Sequence, residues 1–190
     1  MCLPSRGSTD PTEKRRSFIK ASAVQVPSDS LLPRSSWIEH SQLLLDTFAR
    51  LLGRQLISRE GSRHDQAVRL FEAPFVVVSA DASADPLLTY GNRTALGVWE
   101  IDVATLLATP ARHTAEPMHR DERQRLLDRT REQGFVDDYS GVRISTTGKR
   151  FRIERAIVWN LINEAGSYCG QAATFEQWVP LASPAEPSDA

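Results

Sequence analysis

Cysteine is scarce in this chain of 190 residues, which has only Cys2 and Cys169. Two cysteines can form neither a disulfide framework nor a structural zinc site. Long hydrophobic runs are missing too, because no stretch reaches the ~18 apolar residues that a membrane-spanning helix needs. Neither sign of charge dominates, since 23 Lys and Arg residues stand against 24 Asp and Glu residues. These counts predict a soluble, cytoplasmic protein without a membrane anchor and without a broad basic surface for nucleic acid.

The motifs of the common enzyme classes are also missing. The sequence has no G-x-S-x-G elbow, no Walker loop and no G-x-G-x-x-G loop. Its four histidines, His40, His64, His113 and His119, follow none of the spacings used for metal ligands. His113 and His119 flank the start of a predicted helix, where a haem ligand could stand, but surface histidines explain the pattern more simply. We therefore predict a protein that is not an enzyme and has no metal site.

The two ends of the chain differ in composition from the middle. Residues 1–34 are rich in Pro, Ser and small polar residues, and six basic residues stand there against three acidic ones. Together with residues 180–190, they predict disordered tails around one folded domain at residues 35–179. The segment 15–20, RRSFIK, is also similar to the core of a twin-arginine export signal. The apolar stretch after it stops at Pro27, which favours a basic tail over an export signal.

Apolar spacing predicts an amphipathic helix at the start of the domain. Leu44, Phe48, Leu51 and Leu52 follow an i, i+4, i+7, i+8 pattern within a helix from Trp37 to Ile57. Such a leading helix either covers the sheet or forms a homodimer contact, and both roles remain open.

The order of the remaining elements predicts the fold class. Two short strands near Val76 and Leu88 precede three helical segments, and three longer strands follow from about Val142. We predict an α+β domain: a five-stranded antiparallel sheet with helices on one face, preceded by the amphipathic N-terminal helix. This order is typical of PAS-type sensor domains. The alternative, an NTF2-like cone, needs long helices first and a larger curved sheet.

The predicted long strand near the end of the domain has apolar residues at every second position. These share one face: Phe151, Ile153, Ile157, Trp159 and Leu161. Arg155 is the one polar residue in this row, so the pattern predicts a buried guanidinium. Such a group needs a nearby acid (Asp137, Asp138 or Glu176) or a ligand oxygen as its partner.

Seven residues are candidates for a ligand pocket between the sheet and the helices. They are Phe75, Tyr90, Asn92, Trp99, Arg155, Trp159 and Phe175. Aromatic residues at such positions more often form plain core, and Asn92 is explained by capping the helix that follows it. Cys169 has no basic neighbour in sequence to favour a thiolate, so a small buried side chain is its simpler role and a redox-sensing thiol the alternative.

Three segments carry a resemblance to a known family. Residues 88–96, LTYGNRTAL, are similar to the passage from strand to helix in a PAS domain. YSGVRIS at 139–145, followed by GKRFRI at 148–153, resembles the signature of the MEKHLA domain, and VWNL at 158–161 with GQAATF at 170–175 resembles its end. The resemblance covers about residues 36–179.

The resemblance implies a PAS-like sensory or protein-interaction module. MEKHLA domains stand at the end of plant class III homeodomain leucine-zipper factors and alone in bacterial and algal proteins. The resemblance implies regulation of dimer or partner contacts in response to a small molecule or redox state. It brings no DNA-binding role, since this sequence has neither homeodomain nor zipper, and no catalytic residue. Arg93 stands where a covalent flavin adduct needs cysteine, which leaves non-covalent flavin or haem as possible cofactors. A ligandless scaffold domain and, less favoured, an enzyme using the cavity are the alternatives.

Overall fold

The computed structural model describes residues 34–116 and 120–182, with only the backbone at Arg34 and Arg120. The predicted tails, the RRSFIK segment and His119 therefore lie outside the described residues, apart from the chain around Pro180. There the last strand includes Pro180, and the Leu181 N–H donates to the Arg150 carbonyl at 2.8 Å. The folded part thus extends into the segment predicted as the C-terminal tail.

The described residues form five helices and six strands, in which the two short strands, the helical segments and the longer strands follow one another in the predicted order. The helices are α1 (Arg34–Leu52), α2 (Arg63–Phe71), α3 (Arg93–Trp99), α4 (Val103–Leu107) and α5 (Arg120–Gln133), with a 3₁₀ turn at Ala111–Thr114. The strands are β1 (Val76–Ala80), β2 (Leu88–Gly91), β3 (Phe135–Ile144), β4 (Arg150–Ile162), β5 (Tyr168–Phe175) and β6 (Gln177–Pro180). In the described ranges no helix is long and apolar enough to cross a membrane.

Polar side chains set where three of the helices begin. Ser62 and Asp65 form a reciprocal capping box at the start of α2. Asn92 caps α3 by accepting from the Ala95 N–H at 3.0 Å, and Asp102 caps α4. The predicted cap at Asn92 is confirmed. Helix α1 ends at Leu52, earlier than the predicted Ile57.

The strands form one antiparallel sheet in the order β2-β1-β5-β4-β3. Strand β4 is long enough to pair with β3 along one edge and with two strands along the other. Its second half pairs with β5, and its first half pairs with β6. The predicted five-stranded sheet is therefore present, and β6 adds a short sixth strand to it.

Helices cover both faces of this sheet. On one face, which we call the α1 face, helices α1 and α2 bury a cluster that contains Leu44, Phe48, Val77, Trp159 and Leu161. Helix α3 packs on the other face, together with the cluster of Val76, Ala95, Trp99, Phe151, Ile153 and Phe175; we call this the cavity face. The leading helix thus covers the sheet, because Leu44 and Phe48 are fully buried there.

Strands β3 and β4 each contain one bulge, and the bulge of β4 reverses the facing of the side chains that follow it on that strand. Asp138 and Arg155 both have positive φ, of 62° and 52°. Ile153 pairs with Gly141 and Ala156 with Tyr139, so β4 holds one extra residue there.

The predicted single row on β4 is therefore wrong. Phe151 and Ile153 lie on the cavity face, whereas Ile157, Trp159 and Leu161 lie on the α1 face. Arg155 is exposed at the bulge and not buried in a row. An extra residue shifts every later side chain to the opposite face, because the period of a strand is two.

Candidate functional site

Two adjoining cavities lie between the cavity face and the helices α3 to α5. The smaller has a volume of about 100 Å³ and is enclosed by the sheet, the 3₁₀ turn and α5. The larger, about 470 Å³, extends between α3, α4 and the loop that joins β3 to β4. The two cavities share four wall residues: Val78, Leu88, Trp99 and Thr114. Apart from a few polar groups, the wall of the smaller cavity is hydrocarbon, with Leu126, Val158 and Phe175 among its members.

The first polar group in the smaller cavity is the guanidinium of Arg143. Only 7% of Arg143 is exposed, although it is charged. Its Nη1 donates to the Val142 carbonyl at 2.8 Å, and both Nη atoms lie 3.4 Å from the Tyr139 hydroxyl oxygen. Arg143 also stands over the Tyr139 ring, 5.4 Å from its centroid. Strand β3 thus holds a desolvated cation against the cavity.

The second polar group is the guanidinium of Arg123, which comes from the first turns of α5 and lines the same cavity. Burial, and then the positive charge of Arg143, lower the pKa of Arg123 to about 10. No hydrogen bond or ion pair joins its guanidinium to any residue in the ranges 34–116 and 120–182. Two cations therefore line one small volume, and neither is paired with an acid of the described residues.

Other polar groups of this wall already have partners. Asp81 accepts through one carboxylate oxygen from the Ser83 and Leu87 N–H groups, each at 3.1 Å. Gln171 donates to the Leu127 carbonyl at 2.9 Å. Trp99 differs, because its indole N–H is buried without an acceptor among the described residues. The walls of the cavities thus contain one neutral donor and two cations that could still donate hydrogen bonds to a ligand.

Of the seven sequence-predicted site residues, only Trp99 and Phe175 line these cavities. Their rings contact each other edge to face, with centroids 6.0 Å apart. Asn92 is fully buried as a structural hub: besides capping α3, its Oδ1 accepts from the Val77 N–H and its Nδ2 donates to the Phe75 carbonyl. It has no part in the cavity wall.

Tyr90 and Trp159 lie on the α1 face, across the sheet from the cavities. The Trp159 indole N–H donates to the Thr47 hydroxyl at 3.1 Å, and its ring contacts Phe48. Burial raises the pKa of Tyr90 above its usual value. The aromatic set predicted for one pocket is thus divided between the two faces of the sheet.

Phe75 and Arg155 line an open groove of about 630 Å³ at the bulged end of β3 and β4. The acids proposed as partners for Arg155, Asp137, Asp138 and Glu176, line the same groove. Arg155 forms no ion pair with a described residue, so the structure brings the predicted partners near without pairing them. The enzyme hypothesis relied on Arg155 acting with Tyr90. Those residues lie on β4 and β2, three strand spacings apart, which is about 14 Å.

A polar chain under α1 connects this helix to the sheet. The Nε2 of His40 is 2.8 Å from the Ser79 hydroxyl, which lies 2.8 Å from the Thr89 hydroxyl. Burial lowers the pKa of His40 to about 4, so the ring is neutral at neutral pH. Ser79 also belongs to the wall of the smaller cavity. Strand β1 therefore contacts the cavity on one side and α1 on the other.

Covalent flavin chemistry does not fit the described residues. Cys169 is the one cysteine among them, and it packs with the cluster under α1, on the face away from the cavities. Within the same residues no three His, Cys, Asp or Glu side chains are grouped closely enough to hold a metal ion. His113 lines the larger cavity and is exposed. Non-covalent flavin and haem remain predictions.

A sheet of this order, with helices enclosing cavities on one face, defines a PAS-like domain, and comparison with solved structures agrees. A PAS domain from Colwellia psychrerythraea superimposes with a TM-score of 0.51 at 13% identity, covering 58% of this chain and 91% of that chain. An RNA-binding light-oxygen-voltage receptor gives 0.50 at 17% identity, covering 63% of this chain and 33% of that one. The light-state dimer of the fungal blue-light photoreceptor Vivid gives 0.48 at 12% identity, with coverages of 69% and 91%. At such identities the first two likenesses establish the fold alone, and the third carries no argument.

The chain itself belongs to the MEKHLA domain family. The family model matches residues 38–180, about three quarters of the sequence. The match takes in every described strand and all five helices except the first turn of α1. No curated protein matches the chain significantly.

Proposed function

We propose that this MEKHLA domain is a sensory module that binds a small molecule in the cavities beside Trp99 and passes the change to α1 through the sheet. The observation that carries the proposal is the pair of adjoining cavities, lined by hydrocarbon with a few unpartnered polar groups. Ligand sites in proteins have this character, and their usual volume of about 300–1,000 Å³ includes that of the larger cavity.

The sheet offers a short route from the cavities to α1. Val78 lines both cavities, while its neighbour Val77 packs under α1. On β5, Ala173 lines the smaller cavity, and Ala172 both lines it and belongs to the cluster under α1. A ligand that moves β1 or β5 by a fraction of an ångström must also change the contacts of α1. The bond from His40 to Ser79 makes this coupling polar as well as steric.

A cavity-filling variant tests the proposal. Ala173 lines the smaller cavity, so Ala173→Leu should occupy that space, whereas Ala104→Leu adds the same atoms at an exposed position on α4. Native mass spectrometry and thermal melting of the full chain, with a library of small metabolites, should show bound mass or a raised Tm for the parent and for Ala104→Leu. Ala173→Leu should lose that response. Binding that survives in Ala173→Leu would place the ligand elsewhere.

The second candidate is a ligandless dimerisation or scaffold domain, favoured by the extent of α1 across the sheet. A homodimer through this helix must use its outer surface, where Glu39, Asp46 and Arg50 are exposed, because Leu44 and Phe48 face the sheet. The same mass spectra decide between the candidates. A dimer that carries no extra mass and binds none of the metabolites supports the scaffold function. If Glu39→Arg with Arg50→Glu abolishes the dimer, the dimer contact lies on α1.

A further inference from the structure

We propose that the smaller cavity takes a small organic acid, whose carboxylate lies against Arg123 and Arg143 and whose apolar body lies against Trp99 and Phe175. This inference rests on the proposed function, and it adds the chemical class of the ligand. We infer that class from the two positively charged side chains in the cavity wall.

A guanidinium removed from water loses solvation that only a hydrogen-bonded anion restores in full. Arg143 is held by one backbone carbonyl and the neutral Tyr139 hydroxyl, and Arg123 has no partner within the described ranges. Residues 117–119, which precede α5, are Pro, Met and His, so the adjacent gap contains no acid either. Neither a described residue nor residues 117–119 supplies the balancing negative charge, and a bound anion would supply it.

The geometry of the two cations favours a carboxylate. They approach the same volume from two elements, α5 and β3, and a carboxylate offers two oxygens that can accept from separate donors. The buried indole N–H of Trp99 adds a third donor on the same wall. Two arginines at one carboxylate would form charge-assisted hydrogen bonds beside the apolar wall of the cavity.

The rest of the wall favours an organic body over an inorganic anion. Leu88, Leu126, Ile153, Val158 and Phe175 surround the polar corner. A phosphate ion is strongly hydrated and has no apolar part to bury against them, whereas a branched or aromatic acid buries its hydrocarbon there. A volume of about 100 Å³ limits the body to a small one.

The test compares isosteric probes on the full chain. Benzoate and isovalerate should raise Tm, while benzamide, which has the shape of benzoate without its charge, and inorganic phosphate should bind at least ten-fold more weakly. Isothermal titration supplies the dissociation constants.

Arg123→Gln is the primary variant, because it breaks no bond to a described residue. It should weaken benzoate binding at least ten-fold and should also raise the Tm of the unliganded protein, since it removes a half-buried charge that lies near the positive charge of Arg143. Arg129→Gln changes an exposed arginine on the same helix and should leave both properties unchanged. Arg143→Gln should weaken binding as well, with some loss of stability from its contacts with Tyr139.

The outcomes separate this inference from the proposed function. If benzamide or another neutral compound binds as tightly as benzoate, and Arg123→Gln has no effect, the ligand is not an acid, but the proposed sensory function still holds. If phosphate binds as tightly as benzoate, the proposal that the ligand has an apolar body is wrong. If no probe or metabolite binds and the purified chain carries no extra mass, both proposals fall.

Discussion

Acidification should weaken the folded protein through one half-buried residue, His40, before its carboxyl groups are protonated. The His40 ring stacks on Tyr90, with centroids 6.0 Å apart, and its Nε2 lies 2.8 Å from the Ser79 hydroxyl. Burial lowers its pKa from 6.5 to about 4 in the folded protein. In the unfolded chain the ring takes up a proton near pH 6.5, whereas in the folded protein it stays neutral until about pH 4. The free energy of unfolding is therefore complete above that window and falls as the pH drops through it.

The size of the effect follows from the two pKa values. Each pKa unit corresponds to ~1.4 kcal/mol, so a shift of this size removes ~3 kcal/mol once the pH reaches the folded pKa. Between about pH 7 and pH 5 the loss is ~2 kcal/mol, because most of the window lies in that range. For a chain of this length, such a loss lowers Tm by ~4–8 °C.

Urea unfolding at several values between these two pH limits measures the loss. His40→Gln keeps a side-chain hydrogen bond within reach of Ser79 but cannot titrate, so its stability should change much less over the same range. His113→Gln, at an exposed position, should keep the full dependence of the parent. Carboxyl groups contribute equally to all three proteins and cancel in the comparison. Parallel curves for the parent and His40→Gln would refute a His40 ring whose pKa is lowered by desolvation.

Three further substitutions test the packing of the sheet by urea unfolding. Gly170→Ala should cost ~3 kcal/mol, because φ is +133° there and the new methyl would meet the backbone of β1, whereas Gly148→Ala, at φ +85° in open space, should cost ~1 kcal/mol. Asn92→Ala should lower stability by ~3 kcal/mol, since it removes the α3 cap and leaves buried backbone groups of two segments unpaired; an unchanged midpoint would contradict the hub role. Thr47→Val should cost ~2 kcal/mol by leaving the buried Trp159 indole N–H without an acceptor, and Thr47→Ser, which keeps the hydroxyl, should cost less.

The order of helices and strands could be predicted because each signal is local. The spacing of Leu44, Phe48, Leu51 and Leu52 marks α1, and the side chain of Asn92 fixes where α3 begins. These signals need no knowledge of distant residues. They therefore gave the α+β order and the position of the leading helix, although the helix ends five residues earlier than expected.

The bulges could not be predicted, and the error in the site follows from them. Asp138 and Arg155 adopt positive φ without being glycine, so neither residue type signals the bulge. Without the bulge, the alternation along β4 places Phe151 and Trp159 on one face. With it, Trp159 moves to the α1 face and Arg155 to the surface, which removes both from the cavities.

The polar corner of the smaller cavity was missed for a different reason. Arg123 and Arg143 are 20 positions apart, on a charged surface helix and on an alternating strand where arginine is ordinary. Each looks solvated when its own element is considered alone. Only the packing of α5 across β3 brings them to one volume, and that contact is tertiary. The one sequence signal for a buried Arg143 is weak: it lies between the apolar residues Val142 and Ile144.

The same two arginines bear on whether the cavities exist for a ligand. A domain that served only as a packed scaffold would gain stability by exchanging a buried, unpaired guanidinium for leucine or methionine, because hydrocarbon of similar volume fills such a site without a desolvation penalty. Arg143 is instead only 7% exposed, and Arg123 lines the same cavity without pairing with an acid of the described residues. Hydrocarbon walls can collapse toward one another, whereas two like charges repel each other and oppose such a collapse. The two charges thus lower the stability of the empty protein, and a bound anion would remove this cost. A ligand-responsive module needs such a difference between its empty and bound states, because the ligand then changes the packing between the sheet and α5.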